Sequence, residues 1–369
     1  MAWELALALI HTGSLAHAAT VLAETIDQAR EAGDEIAAAY AESVQWMPDL
    51  LGPDVDVDAW EESAERLIAF FESFGDHRGA SLAWGQMSEA QSFRARFADA
   101  ASAHERALHH AIACGDRLLA SEHRSSLLFS LVHGPRPFQE ALAFARQTLE
   151  TARSDGDHRL EAGILANLGR CLAYLGRYDE ARRACSESQE IWRDLGAPWG
   201  ALQHAGRIAW LAGDLDGAAD ALREHCRYME SIGETTFLTG SAWMLARVEI
   251  ERGNIEEAHG WTGVAERAAS SDDIDTQESL QTLRGLLAAE RGDPTAEAHF
   301  RASVALGDAT DSLMRQARAR MDLARFLGEG RRGEAVALAQ EALDLAESKG
   351  ATVYVTAARD LLTDLERGA

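Results

Sequence analysis

The chain has 369 residues, of which 47% are hydrophobic, and a formal charge of −25 from 35 Lys and Arg against 60 Asp and Glu. The apolar share excludes a disordered chain. The acidic balance speaks against direct nucleic-acid binding, which needs Lys and Arg to neutralise phosphates, and against docking on anionic lipid. With only six prolines, plentiful Ala, Leu, Glu and Arg, and no alternating β-branched runs, the chain is expected to be all-α.

The first helical hairpin is expected over residues 3–33, with its turn at Gly13 and its exit at Gly33-Asp34. Its first helix has barely ten residues, ~15 Å of helix. Trp3, Leu5, Leu7 and Ile10 are therefore expected to face outward with nothing before them. That reads as a chain cut from a longer protein, or as a face that meets a partner. The second hairpin, residues 35–75, is interrupted by PDLLGPDVDVD at residues 48–58. The DxDxD run lacks the glycine and distal glutamate of an EF-hand. It is expected to be an acidic loop capping a helix that begins near Trp60.

The third and fourth hairpins cover residues 77–115 and 117–156, the latter turning at GPRP, residues 134–137. Those prolines end one helix and preset the next. The fifth hairpin, residues 158–196, contains LGRCLAYLGRYDEARRAC, residues 168–185. Gly169 lets the two helices approach, Gly176 supplies the turn, and Ala181 packs where a larger side chain would clash. Further turns are expected at Gly213, Gly253, Gly292 and Gly330, 37–40 residues apart, and exits recur through Gly75, Gly115, Gly156, Gly196 and Gly233. A last helix, about residues 352–366, is expected to cap the array. Its Val355, Ala358, Leu361 and Leu362 share one face, with Asp360, Asp364, Glu366 and Arg367 left for solvent.

Leu168, Gly169, Leu172, Gly176, Tyr178 and Ala181 stand where a tetratricopeptide (TPR) repeat keeps its consensus residues, so the hairpins resemble TPR units of unusually long period. The implied fold is a right-handed superhelical solenoid of about nine TPR-like hairpins plus the capping helix, one array over residues 1–369. The phrase ESQEIWRDLGAPWGALQHAGRIAWLAGDLDGAADAL, residues 187–222, and the ending AVALAQEALDLAESKGATVYVTAARDLL, residues 335–362, are similar to the C-terminal repeat arrays of large bacterial signalling regulators. These include LuxR-type and maltose-regulator-type ATP-dependent transcription activators, and proteins joining a nucleotide cyclase, an AAA-type ATPase and a repeat tail. The resemblance implies a module that senses an inducer or docks a partner; a cytoplasmic location is expected from the scattered cysteines and the lack of a signal peptide or span, and a non-enzymatic role from the lack of catalytic motifs. The GxxxxGK[ST] phosphate loop of such ATPases is not in this sequence.

Aligning hairpins five to seven on their turn glycines puts Arg170, Arg207 and Arg247 at one shared position, six before each glycine. TPR geometry turns that position to the concave face, beside Asn167, Tyr174, His204, Trp210, Trp243 and Met244. A guanidinium row with aromatic walls suits a peptide segment or a small anionic inducer. The competing reading pairs each Arg with a carboxylate such as Glu161 or Glu249. The same alignment gives Leu286 and Ala324 in the last two hairpins, so the ladder is expected to stop at Arg247. A second function class is a structural scaffold that self-associates through the N-terminal face. Cys114, Cys171, Cys185 and Cys226 form no CxxC pair and read as reduced thiols. His104, His109, His110 and Cys114 share one helix but suggest no complete metal set. No catalytic motif, cofactor site, signal peptide or membrane span is expected.

Overall fold

The computed structural model describes residues 2–11, 14–49, 56–197, 199–232, 234–269 and 273–367. The expected glycines Gly13 and Gly233, residues 50–55 of the acidic loop and the Ile10 side chain lie outside the described structure. The helices are α1 (Ala2–His11), α2 (Leu15–Ala32), α3 (Glu35–Asp49), α4 (Val57–Phe74), α5 (His77–Phe93), α6 (Phe97–Cys114) and α7 (Arg117–His133). Then come α8 (Phe138–Asp155), α9 (His158–Tyr174), α10 (Tyr178–Asp194), α11 (Leu202–Leu211), α12 (Leu215–Ile232) and α13 (Thr236–Glu251). The series ends with α14 (Ile255–Ala268), α15 (Ile274–Glu290), α16 (Ala296–Asp308), α17 (Leu313–Leu327), α18 (Arg332–Lys349) and α19 (Thr352–Arg367). No strand occurs among the described residues, and no helix there is long and apolar enough to cross a membrane. The fold is all-α, a TPR-like helical solenoid.

Local chemistry sets the helix ends. At the α4–α5 junction Gly75 takes φ 68° and its N–H caps the Glu72 and Phe71 carbonyls, a left-handed ending that a Cβ would strain. Asp76 follows and accepts a hydrogen bond from the Gly79 N–H (3.1 Å), starting α5. The same Gly-Asp device recurs at Gly156-Asp157, where Asp157 caps the Leu160 N–H at 2.9 Å. Inside the fifth hairpin Gly176 has φ 74°, as its turn role requires. A Cβ on Gly169 would lie 3.0 Å from the Ala181 carbonyl oxygen, so the close approach read from the sequence is present. Asp56 caps α4 through the Ala59 N–H at 2.9 Å, while α3 runs through Pro48 to Asp49, further than the proline suggested. The last expected turn needs correction. The glycine with positive φ is Gly328 (48°), opening a 3₁₀ turn over Gly328–Arg331, and Gly330 is not the turning residue.

Backbone proximity divides the chain into two compact units, residues 1–94 with 99–127, and residues 95–98 with 128–369. In the first, Trp3 is buried and stacks on Tyr40 with ring centroids 4.7 Å apart. Leu7 packs into the same cluster and Leu5 alone of that predicted face is shown exposed, at 52%. The expected N-terminal docking face is thus mostly turned inward on its own unit. His104 and His123 are buried here, and His123 Nε2 lies 3.0 Å from Ser81 Oγ. His110 faces His77 (Nδ1 to Nδ1, 2.9 Å), while the Cys114 thiol donates to the Ala111 carbonyl (3.3 Å). Those side chains do not converge on one point, and no three metal-ligating groups do so among the described residues.

In the second unit consecutive helices pack in pairs, with cores around Leu222, Met229, Met244 and Leu245 and around Phe300, Leu323 and Ala339. Met244 is fully buried in the first of these and not in the groove, a correction to its expected place. On the α19 face read as apolar Ala358 is buried and Val355, Leu361 and Leu362 are half-buried, while Asp360, Asp364, Glu366 and Arg367 are exposed as expected. The helix does more than cap, because it also packs on α17 and α9. Two polar contacts join distant parts of this unit. The Lys349 ammonium is fully buried and donates to the carbonyls of Leu131 (2.9 Å), Gly134 (2.5 Å) and Arg136 (2.6 Å). The Asp311 carboxylate accepts from the N–H groups of Phe97 (2.9 Å) and Ala98 (2.6 Å).

Candidate functional site

Among the described residues of the second unit, two chambers stand out by size. The smaller, about 210 Å³, is lined by residues from α7, α9, α11, α13, α15, α17 and α19, the first helices of successive hairpins together with the last helix. α8, α10 and α12 pack against α9, α11 and α13. The larger chamber, about 480 Å³, is bordered by Trp210, Leu211, Met321, Val353 and Ala357 with Arg247, Glu251 and Arg325. Arg318 and Tyr354 border both.

Arg170 comes from the middle of α9 and is 5% exposed. It donates to His133 Nε2 (2.6 Å) and reaches His204 Nδ1 (3.3 Å). His133 Nδ1 sits 2.9 Å from the Phe129 carbonyl and must donate there, which leaves Nε2 as the acceptor for the guanidinium. Burial, and then the neighbouring Arg170 charge, hold both imidazoles well below the ordinary histidine range, so they are neutral acceptors. Burial and the charge of Arg207 bring the Arg170 guanidinium itself down to about 10. Its Nε is buried with no hydrogen-bond partner.

Arg207, one hairpin on, donates to Tyr174 Oη (3.4 Å) and lies over the Trp243 ring at 5.7 Å. Tyr174 is stacked on Phe138, with centroids 5.1 Å apart. Burial pushes its phenol up, but Arg207, Arg170 and Arg318 together bring it below the usual tyrosine value. The Arg318 guanidinium also lies over Trp243, 4.9 Å from its centroid. Neither Arg170 nor Arg207 has a carboxylate partner among the described residues.

Arg247 differs. It makes two bonds to Asp322 (2.8 and 3.0 Å) and one to Glu251 (2.8 Å). Burial opposes its charge, but Asp322 more than compensates and raises its pKa. The carboxylate-paired reading therefore holds for Arg247, with partners the sequence did not single out. Glu161 binds Arg153, and Glu249 binds Arg223 and Arg252. Trp210 donates to Glu251 (2.8 Å) at the larger chamber. His204 stands behind Arg170 and Asn167 bonds the Gly163 carbonyl (3.1 Å); neither lines a chamber.

Sequence reasoning missed Arg315 and Arg318 on α17, His133, and Tyr354 on α19. Arg318 bonds the fully buried Glu278 at 2.7 Å, and Arg315 lies 3.8 Å from the same carboxylate. A signal was available. Counting six residues back from Gly328, the true turn glycine, lands on Asp322, the partner of Arg247. Arg318 lies one helical turn before it on the same face.

No family model matches the chain, and no curated protein matches it. Solved structures do. A Rap protein complexed with Competence and Sporulation Factor aligns at TM-score 0.67 and 13% identity, over 100% of this chain and 98% of that one. NprR in complex with its cognate peptide NprX aligns at TM-score 0.61 and 14% identity, over 94% and 98%. The APC/C hetero-tetramer Cut9-Hcn1 aligns at TM-score 0.58 and 16% identity, over 99% and 75%. At these identities the likeness is one of fold: the chain is similar to TPR-like helical repeat proteins.

Proposed function

We propose that this chain is a non-enzymatic binding module that takes a negatively charged peptide segment along the concave face of its second unit. It would serve as the interaction or sensing part of a cytoplasmic bacterial signalling or transcription regulator. A small anionic inducer is the other ligand the same chemistry admits. The observation that carries the reading is Arg170 beside Arg207, two guanidiniums in a partly enclosed chamber with no carboxylate of their own, in a chain of charge −25. Uncompensated buried charge is costly, and an anionic ligand removes the cost. Tyr174 and Trp243 supply aromatic walls for the same ligand. Of the similar structures, the Rap protein was solved complexed with Competence and Sporulation Factor and NprR in complex with its cognate peptide NprX.

Calorimetric titration with matched acidic, neutral and basic hexapeptides tests this. Acidic peptides should bind, and Arg170→Ala/Arg207→Ala should weaken them at least about tenfold with helicity unchanged by circular dichroism. Binding that ignores peptide charge, or survives the double substitution, refutes it.

A further inference from the structure

The charge balance of the two chambers differs, and it specifies the ligand more closely than "anionic". In the smaller chamber Arg318 and Arg315 share Glu278, and Asp273 also borders the space. Asp273 already caps α15, accepting from the Thr276 N–H at 3.1 Å. It keeps its negative charge while capping, so the two carboxylates stand against four arginines and leave a surplus of two positive charges, with Arg170 and Arg207 the two that have no carboxylate beside them. The imidazoles and phenol around them accept hydrogen bonds but carry no compensating charge. In the larger chamber the balance closes. Arg247 is held by Asp322 and Glu251, and Arg325 lies 3.2 Å from Asp322. What that chamber offers instead is apolar surface from Trp210, Leu211, Met321, Val353 and Ala357.

The volumes agree with this division. The smaller space, about 210 Å³, is on the scale of one or two acidic side chains. The larger is more than twice that size and opens beside the same two side chains, Arg318 and Tyr354. An extended chain rises ~3.3 Å per residue, so neighbouring residues of one peptide can enter neighbouring chambers.

We propose that the ligand is a short peptide segment that delivers two negative charges to Arg170 and Arg207 and an adjacent large apolar side chain to the chamber beyond Tyr354. The proposal rests on the anionic-peptide reading above and adds the number of charges and their order. The two charges come either from an acidic residue at a free chain end, through side chain and terminal carboxylate, or from two acidic side chains.

The test is a charge-counting titration on the full chain. The probes are acetyl-Gly-Gly-Ala-Leu-Glu as the free acid, its C-terminal amide, the Glu-to-Gln peptide in both forms, and an amidated peptide ending Leu-Glu-Glu. Each charge removed from a doubly charged probe should weaken binding about tenfold or more, and Leu to Ser should weaken every binding probe. Arg207→Gln should erase the preference for the doubly over the singly charged probe, because one guanidinium then remains. Since Arg170 is buried, Arg170→Gln is read only after its helicity matches the parent, and Arg207→Gln, at a half-buried position, carries the test alone if it does not. Preference for the free acid places one charge at the chain end. Equal binding of the amidated Leu-Glu-Glu peptide places both on side chains, and both results support the count. Singly charged probes that bind as tightly as doubly charged ones overturn it while leaving the anionic groove standing. Failure of every acidic probe removes the groove reading itself.

Discussion

Removing the Asp322 carboxylate with Asp322→Asn should destabilise the second unit without being a ligand effect. Asp322 is 3% exposed and meets Arg247 through two bonds of 2.8 and 3.0 Å across 75 residues of sequence. At an effective dielectric of about 20 the Coulomb attraction at that distance is roughly 6 kcal/mol, against which both ions lost their hydration. Breaking such a pair from one side leaves a buried guanidinium facing an amide and costs about 3–5 kcal/mol. Glu251 still holds Arg247 at 2.8 Å, which places the expectation at the lower end. For a unit of this size each kcal/mol moves Tm by about 2–4 °C, so the midpoint should fall by roughly 6–12 °C. The assay is urea and thermal unfolding of the parent, Asp322→Asn, and the closed cycle of Arg247→Met, Asp322→Leu and Arg247→Met/Asp322→Leu. The double variant should recover much of the loss, because the mutual desolvation cost disappears with both ions. A coupling energy below about 1 kcal/mol, the range of an exposed pair, would refute the reasoning and return Arg247 to the ligand.

Two further outcomes follow from the buried ionisable groups. Lys349→Met should leave the Leu131, Gly134 and Arg136 carbonyls without their shared donor and lower stability by about 2–4 kcal/mol, read as an earlier urea midpoint; an unchanged midpoint counts against a structural role for the ammonium. In the first unit, burial brings the His123 imidazole down to about 4 from 6.5, with Glu122 and Asp116 acting weakly the other way, while His104 is held well below 6.5 by burial and by His123. A base whose folded pKa is depressed binds fewer protons folded than unfolded, so its contribution is full above 6.5 and is lost as pH falls toward 4. Burial raises Glu89 to about 7, which opposes part of that loss between pH 7 and 4.5. His123→Gln should therefore reduce the acid-side slope of stability against pH by up to one proton, and an unaltered slope would show that His123 does not titrate with folding.

The repeat was legible because it is written in residues with one physical job each. Glycine at a left-handed helix end and aspartate at the next helix start recur at Gly75-Asp76 and Gly156-Asp157, and small residues recur at crossings such as Gly169. The site was legible only in part. Two of three aligned arginines reach the chamber, and the third is consumed by Asp322. Choosing Gly330 over Gly328, two residues away in the same glycine-rich stretch, shifted the last hairpin by two positions and hid that partner. Tyr354 could not be found locally, since its place beside Tyr174, 5.9 Å between centroids, depends on how far the intervening helices curve. Curvature accumulates from many small packing offsets, which no single repeat displays.

The same distance in sequence has a consequence for how the protein comes into being. The smaller chamber takes side chains from Phe129 to Tyr354. During synthesis its first wall emerges more than two hundred residues ahead of its last. A nascent chain that has already stacked several hairpins still has an open trough with its arginines in water, where their charges are screened. Only when α19 leaves the ribosome and docks does the chamber acquire its final wall. The chamber is therefore complete only once α19 has been made, and a product truncated before Tyr354 can be folded over most of its length yet lack a complete chamber.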